Sequence, residues 1–365
     1  MFRNCRDAKQ MWSTARKVLG MEREKGPTAV VNEKGEITSN PQELADEFNK
    51  FFINKVKDLR ESAKKKAKES LEDPMRYLRE MLDKKGVPEV SQLVKITKRD
   101  LRLIMKSVKP GKSCGDDTID GYSLKLAYPL IEDSLLHLVN LSIQARIFAD
   151  KWKPLTIFPH HKKESRLLLK NYQPVCNLVE VGKIVERVVA KQMLQHMDRN
   201  NLLDPNLHGG LGDLSPATAH IQIQEHLLEA VANRMLSGIL MIDQTAAYDL
   251  LDHQLIKDKM RAYNLGDSFI EWIDSYLSGR KQRTRVQARA SNQAPVGDCG
   301  APQGSILAGL LHIVSSNDCP SANKEGTSVL FVDDQTDLIT ARKTLREQHR
   351  GRLIPPADGS RRIGW

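Results

Sequence analysis

Between residues 95 and 340 the spacing of apolar positions changes several times, and each change marks an element. Leu101, Ile104, Met105 and Val108 recur at helical spacing behind Thr97-Lys98-Arg99-Asp100. The Thr97 hydroxyl can cap that helix, with Asp100 in its first turn. From Lys183 to Met197 the residues Ile184, Val185, Val188, Val189, Met193, Leu194 and Met197 form one helical stripe, which predicts a packed helix. Ser215-Pro216 opens another, with Ser as cap and Pro in the first turn, running to about Met235. The short run Gly238-Ile239-Leu240-Met241-Ile242 ends in Asp243 and predicts a buried strand with a carboxylate at its tip. Helices are expected over His253 to Asn264 and Asp267 to Leu277, with Gly266 and Gly279 as stops. From Arg280 to Arg289 the pattern alternates, so Lys281, Arg283, Arg285 and Arg289 are expected on one face of an extended strand. Last, Val329-Leu330-Phe331-Val332 and Leu338-Ile339 flank Asp333-Asp334, as two strands joined by a tight turn would.

Residues 1–94 have a different texture. They are charged and mostly helix-forming, with Lys64-Lys65-Lys66-Ala67-Lys68 as a basic cluster whose simplest reading is a solvated helix face. Leu44, Phe48, Phe51 and Phe52 fall at helical spacing and predict one packed helix. The whole chain carries 56 Lys+Arg against 46 Asp+Glu, a net charge of +10 and a pI near 9.3, a balance that favours polyanionic partners. Its five cysteines are widely spaced and include no C-x-x-C pair, which suits a reduced, intracellular setting, cytoplasm or nucleus. No zinc pattern forms with the histidines, and no apolar run approaches the roughly 20 residues of a membrane span. A Gly-Lys-Ser string at Gly111 to Ser113 lacks the earlier glycine of a phosphate-binding loop, since Lys106 occupies that place.

Chemistry concentrates on three aspartates. The pair Asp116-Asp117 shows that an Asp-Asp dipeptide alone is weak evidence, but Asp333-Asp334 sits at a predicted turn between strands, and Asp243 ends another strand. Carboxylates on rigid strand tips suit a hard divalent cation such as Mg²⁺, and three of them can hold two such ions roughly 3.5 to 4 Å apart. Taken singly, each aspartate is read as easily as a cap on a turn.

Longer strings make the pattern specific. Ile242-Asp243-Gln244-Thr245-Ala246-Ala247-Tyr248-Asp249-Leu250-Leu251-Asp252-His253 resembles L-D-x-x-x-A-F-D-x-V-D-H of the reverse transcriptases of non-LTR (LINE-like, jockey-type) retrotransposons. Gly300-Ala301-Pro302-Gln303-Gly304-Ser305-Ile306-Leu307-Ala308-Gly309 is similar to their G-V-P-Q-G-S-V-L-G-P, and Phe331-Val332-Asp333-Asp334 to F-A-D-D. Asn171-Tyr172-Gln173-Pro174-Val175 and Lys112-Ser113-Cys114-Gly115-Asp116-Asp117 resemble N-Y-R-P-V and K-S-x-G-x-D. The likeness runs from about residue 95 to about 340, with the motifs in the family's order.

The resemblance implies an α+β right-hand polymerase core with fingers helices and an antiparallel palm sheet; it fades after Thr340 into a stretch without clear periodicity, so the thumb is expected to be missing. Residues 1–94 would be a basic, mostly helical extension, 95–236 a fingers-like region, 237–340 the palm with the metal site, and 341–365 an irregular tail. It implies RNA-directed DNA synthesis by two-metal nucleotidyl transfer, with Asp243, Asp333 and Asp334 as ligands of Mg²⁺ or Mn²⁺. RNA template, DNA primer and deoxynucleoside triphosphates would be the partners. Tyr248 would crowd the sugar 2′ position, although a core tyrosine reads as well. Gln303 and Gly304 would line the nucleotide, and Lys183 and Arg187 would neutralise its phosphates, unless both are solvated helix residues. Lys281, Arg283, Arg285 and Arg289 would face template or primer phosphates.

The departures point the other way. Gln173 stands for an arginine, Leu207 to Ser215 lacks the family's two arginines and its phenylalanine, and Ala308-Gly309 replaces Gly-Pro. A weakened enzyme and a catalytically inactive, basic nucleic-acid-binding remnant are therefore both open. A metal-dependent nuclease is a third reading, in which Pro302 to Ser305 has no task.

Overall fold

The computed structural model describes residues 26–342, apart from Glu33, residues 70–72, Lys112, Ser113 and Thr245, together with isolated positions between 11 and 18. The expected irregular tail falls, from residue 343 onward, outside the described residues, as does the Lys-Ser of the K-S-x-G-x-D string.

The described chain is α+β. A two-stranded ribbon, β1 (Val30–Val31) and β2 (Ile37–Thr38), precedes the long helix α1 (Pro41–Glu69) and then α2 (Arg76–Lys85), α3 (Lys98–Ser107) and α4 (Gly121–Ala145). After β3 (Leu155–His161) and β4 (Tyr172–Asn177) come α5 (Glu180–Arg199), α6 (Pro216–Ala232) and β5 (Leu236–Asp243). The order continues with α7 (His253–Ala262), α8 (Asp267–Leu277), β6 (Lys281–Val286), β7 (Arg289–Ala290), β8 (Ala294–Pro295), α9 (Ile306–Ser316), β9 (Gly326–Phe331) and β10 (Asp334–Ala341). The caps stand where the sequence places them. Thr97 and Asp100 close a reciprocal capping box on α3, and Ser215 accepts from the Thr218 amide at the start of α6.

Helices α2 to α5 and α7 to α9 share one large core, with Trp272, Tyr263 and Tyr276 among its fully buried side chains. Leu78, Met81, Leu82 and Leu93, from the stretch before residue 95, belong to that same core. A second core lies between α1 and the sheet ordered β4-β3-β6-β7, with β8 also paired to β6. There Phe48 meets the Tyr172 ring edge-on at 4.8 Å, and Asn49 Oδ1 accepts from Gln282 Nε2 at 3.2 Å and Thr284 Oγ1 at 3.3 Å. The predicted phenylalanine stripe thus makes α1 a wall of this sheet.

The third sheet runs β5-β10-β9, antiparallel throughout, with Asp243 opposite Asp334 and Leu236 opposite Ala341. Its buried positions are few: Ala219 of α6 packs with Val329 and Leu338, and Leu207 with Ile313 and Leu330. One expectation is overturned here. Every residue of β5 is exposed, Met241 at 80%. The cause is position: among the described residues β5 pairs only with β10, and the Ala219 contact of α6 falls on β9 and β10.

Candidate functional site

The Asp-Asp turn is built by pairing on both sides. Phe331 and Asp334 close the β9–β10 ladder, leaving Val332 and Asp333 as the two-residue turn, with Val332 at φ +58°. A β-branched residue in the left-handed region is strained and must be held there by its surroundings. The segment before α6 supplies the hold. The His208 amide donates to the Leu330 carbonyl at 2.8 Å and the Leu330 amide to the Asn206 carbonyl at 2.9 Å. Gly209 lies so close to the turn that a Cβ there would stand 2.3 Å from the Val332 nitrogen. His208 is itself fixed by Thr218 Oγ1 at 2.9 Å and by Gln222.

The register sets Asp243 directly across from Asp334, so their side chains leave the sheet on one face, with Asp333 next to them in the turn. Asp333 also acts on the neighbouring rings: burial chiefly, and the Asp333 charge after it, pushes the Tyr248 phenol up. Burial lowers the His312 imidazole, against an opposing effect of Asp333. As donors, three carboxylates suit a hard divalent cation. Their convergence does not: among the described residues no three His, Cys, Asp or Glu side chains stand close enough together to hold a metal ion.

Beside the turn opens a cleft of about 690 Å³, lined by Gln173, Lys191, Tyr248, Gln303, Gly304 and Ser305 among others. Tyr248 faces both the core and the cleft. Its ring packs on the large core and lies 5.3 Å from that of His312, and it also lines the cleft. Gly304 takes φ +97°, a conformation that favours glycine, and a Cβ there would sit 3.3 Å from the Cys176 carbonyl oxygen. Ser305 caps α9 by accepting from the Ala308 amide at 2.9 Å, and Tyr276 donates its hydroxyl to Ser305 Oγ at 2.9 Å.

Other sequence candidates lie elsewhere. Lys183 Nζ is 2.6 Å from Glu180 Oε1, both side chains nearly buried. Burial depresses the Arg187 guanidinium, with Glu180 and Glu186 opposing. Neither residue reaches the cleft, whose cation from the same helix is Lys191, one turn further along. Lys281, Arg283 and Arg285 do alternate along the outward face of β6, but Arg283 Nη2 is tied to Asp116 Oδ1 at 2.6 Å. Arg289 leaves the predicted row. The chain reverses at Gln287-Ala288, Arg289 pairs with Val286, and it therefore stands on the opposite face from Arg285.

Three residues of the site escaped the sequence reading. Asp249 lies inside the quoted motif but had no assigned task, His312 is a lone histidine on an apolar helix, and Lys191 had no signal at all.

Residues 160–351, more than half of the chain, match the family described as "Reverse transcriptase (RNA-dependent DNA polymerase)". The chain is 26% identical over 295 residues to the "Probable RNA-directed DNA polymerase from transposon BS" of Drosophila melanogaster, covering 79% of this chain and 31% of that protein. To the "RNA-directed DNA polymerase from mobile element jockey" of the same species it is 23% identical over 259 residues, 68% of this chain and 28% of that one. The "Probable RNA-directed DNA polymerase from transposon X-element" is 26% identical over 232 residues, 61% and 25% of the two chains. This chain thus spans about a third or less of the length of these curated relatives.

Proposed function

This chain belongs to the reverse transcriptase (RNA-dependent DNA polymerase) family, and from that premise we propose that it carries the fingers and palm of an RNA-directed DNA polymerase of a mobile element, with residues 95–236 as fingers and 237–340 as palm. The observation that carries the reading is the strand register that sets Asp243 opposite Asp334, with Asp333 in the adjoining turn, beside the cleft of Tyr248 and Gln303.

In this reading the cleft receives the deoxynucleoside triphosphate, the outward face of β6 receives template or primer phosphates, and Tyr248 limits room at the sugar. Lys191 meets the triphosphate in place of Lys183 and Arg187. The three carboxylates are where a divalent cation, Mg²⁺ or Mn²⁺, would enter, and holding one requires their side chains to swing together. Such a cation supplies Lewis-acid stabilisation of developing charge on phosphoryl oxygens.

The test is primer extension on an RNA template, with duplex binding measured beside it. Asp243→Asn and Asp333→Asn should each abolish extension and leave binding within about twofold, since a carboxamide keeps the shape and loses the charge. Extension surviving in both variants refutes the assignment. Two observations favour a second reading, an inactive nucleic-acid-binding remnant: the carboxylates do not converge, and Lys183 is spent on Glu180. Salt-sensitive binding without extension by the unmodified chain would select it.

A further inference from the structure

The loop Gly300 to Ser305 has its backbone fixed from two sides. The Gly300 and Ala301 amides donate to the Leu251 and Tyr248 carbonyls, each at 2.8 Å, and the Gln303 carbonyl accepts from the Cys176 amide at 3.3 Å. What the loop offers to the cleft then depends on the Gln303 side chain. Its amide has a donor end and an acceptor end of nearly equal size, so packing alone does not choose between them.

The choice is made by Asp249. Gln303 Nε2 donates to both Asp249 oxygens, each at 3.0 Å. An ionised carboxylate only accepts, so it selects the nitrogen and rejects the oxygen. Burial raises the Asp249 carboxyl, while Gln303 and Lys55 of α1 act to keep it charged. At the other end, Gln303 Oε1 accepts from Gln173 Nε2 at 3.4 Å. The two partners lie in different spaces. Asp249 lines an inner cavity of about 70 Å³ on the α1 side, and Gln173 lines the cleft of about 690 Å³, with Gln303 on the wall of both.

We propose that Asp249 is a positioning residue that pins the Gln303 amide with its nitrogen inward, so that the loop presents an oxygen to the cleft and selects a nucleotide group that donates a hydrogen bond there. The selection rests on the reading above, that the cleft receives a nucleotide; the pinning does not.

Exchange of the two partners tests it. Gln303→Glu sets two carboxylates against each other, whereas Asp249→Asn with Gln303→Glu restores one amide–carboxylate pair and still gives the cleft an oxygen. Affinity of the full chain, bound to a primer–template duplex, for a deoxynucleoside triphosphate should fall about tenfold in Gln303→Glu and return to within about threefold in the double variant. A residue that only fills space gives no such rescue, and a double variant as weak as the single one overturns the proposal. A second measurement needs no nucleotide. In the chain carrying isotopically labelled glutamine, the Gln303 side-chain amide resonance, identified by its loss in Gln303→Glu, should shift in the isosteric Asp249→Asn. A resonance that stays in place overturns the pinning. If the unmodified chain binds no nucleotide, the proposed function fails and the amide resonance decides the pinning.

Discussion

Tyr248 shows how one side chain can serve both the core and the cleft. Its ring is held by the core and by His312, so it is a rigid wall where it meets the cleft. A wall of that kind acts by exclusion, and shortening it should admit a larger sugar. Tyr248→Val is expected to raise ribonucleotide incorporation relative to deoxynucleotide by about tenfold or more, about 1.4 kcal/mol of lost discrimination, read from competing extension with matched triphosphates. An unchanged ratio would make Tyr248 a core residue alone. The tyrosine was legible in the sequence because a motif carried it. Its neighbour His312 was not, because a histidine among Leu310, Leu311, Ile313 and Val314 gives no sign of what its ring will pack against.

Among the elements, α9 is held at its N-terminus by a residue from another helix. Glu186 of α5 is buried, and its Oε2 accepts from the Ile306 amide at 2.9 Å. Its Oε1 has no hydrogen-bond partner among the described residues. Burial pushes its carboxyl above the ordinary value of 4.5. A raised folded value means the folded chain holds the proton longer than the unfolded one, so this contribution to stability is full below the ordinary glutamate range and is lost as pH rises through the folded value. Glu186→Gln has no such dependence. Urea unfolding should therefore show the unmodified chain losing ground to the variant from acid to neutral pH, by about 1.4 kcal/mol for each tenfold weakening of the acid on folding. Gly209 is the matching constraint on the Asp-Asp hairpin. Gly209→Ala drives a methyl into the backbone of Val332 and should cost about 2 kcal/mol, read as a lowered midpoint of thermal unfolding. Helix positions and caps were readable because periodicity and capping are local. The error at Arg289 and the exposure of β5 have different causes: alternation tells which residues share a face only until the chain turns, and an unbroken apolar run marks a strand but says nothing of what covers it.

At the scale of the whole molecule, the net charge of +10 predicts polyanion binding, and the structure says which charges are free for it. Lys281 and Arg285 are exposed on the β6 face, whereas Arg283 is committed to Asp116. Replacing Lys281 or Arg285 by alanine should flatten the dependence of log K on log salt by about 0.9 for each duplex phosphate no longer neutralised. Arg283→Ala should flatten it less, which a salt titration of duplex binding will show. The aspartates are mounted less evenly than these charges. Asp334 belongs to a central strand laddered on both sides, but Asp243 ends a strand that is laddered, among the described residues, on one side and is exposed along its length. Thermal fraying therefore starts from unequal supports. Peeling of β5 from β10 at its tip would move Asp243 and leave Asp334, and a drift of about 1 Å would be enough to spoil alignment at the proposed reacting centre. In the proposed site the spacing of the carboxylates would therefore follow the stiffness of one border strand, whose tip is tied to the turn where the Gln244 amide donates to the Asp333 carbonyl at 3.4 Å.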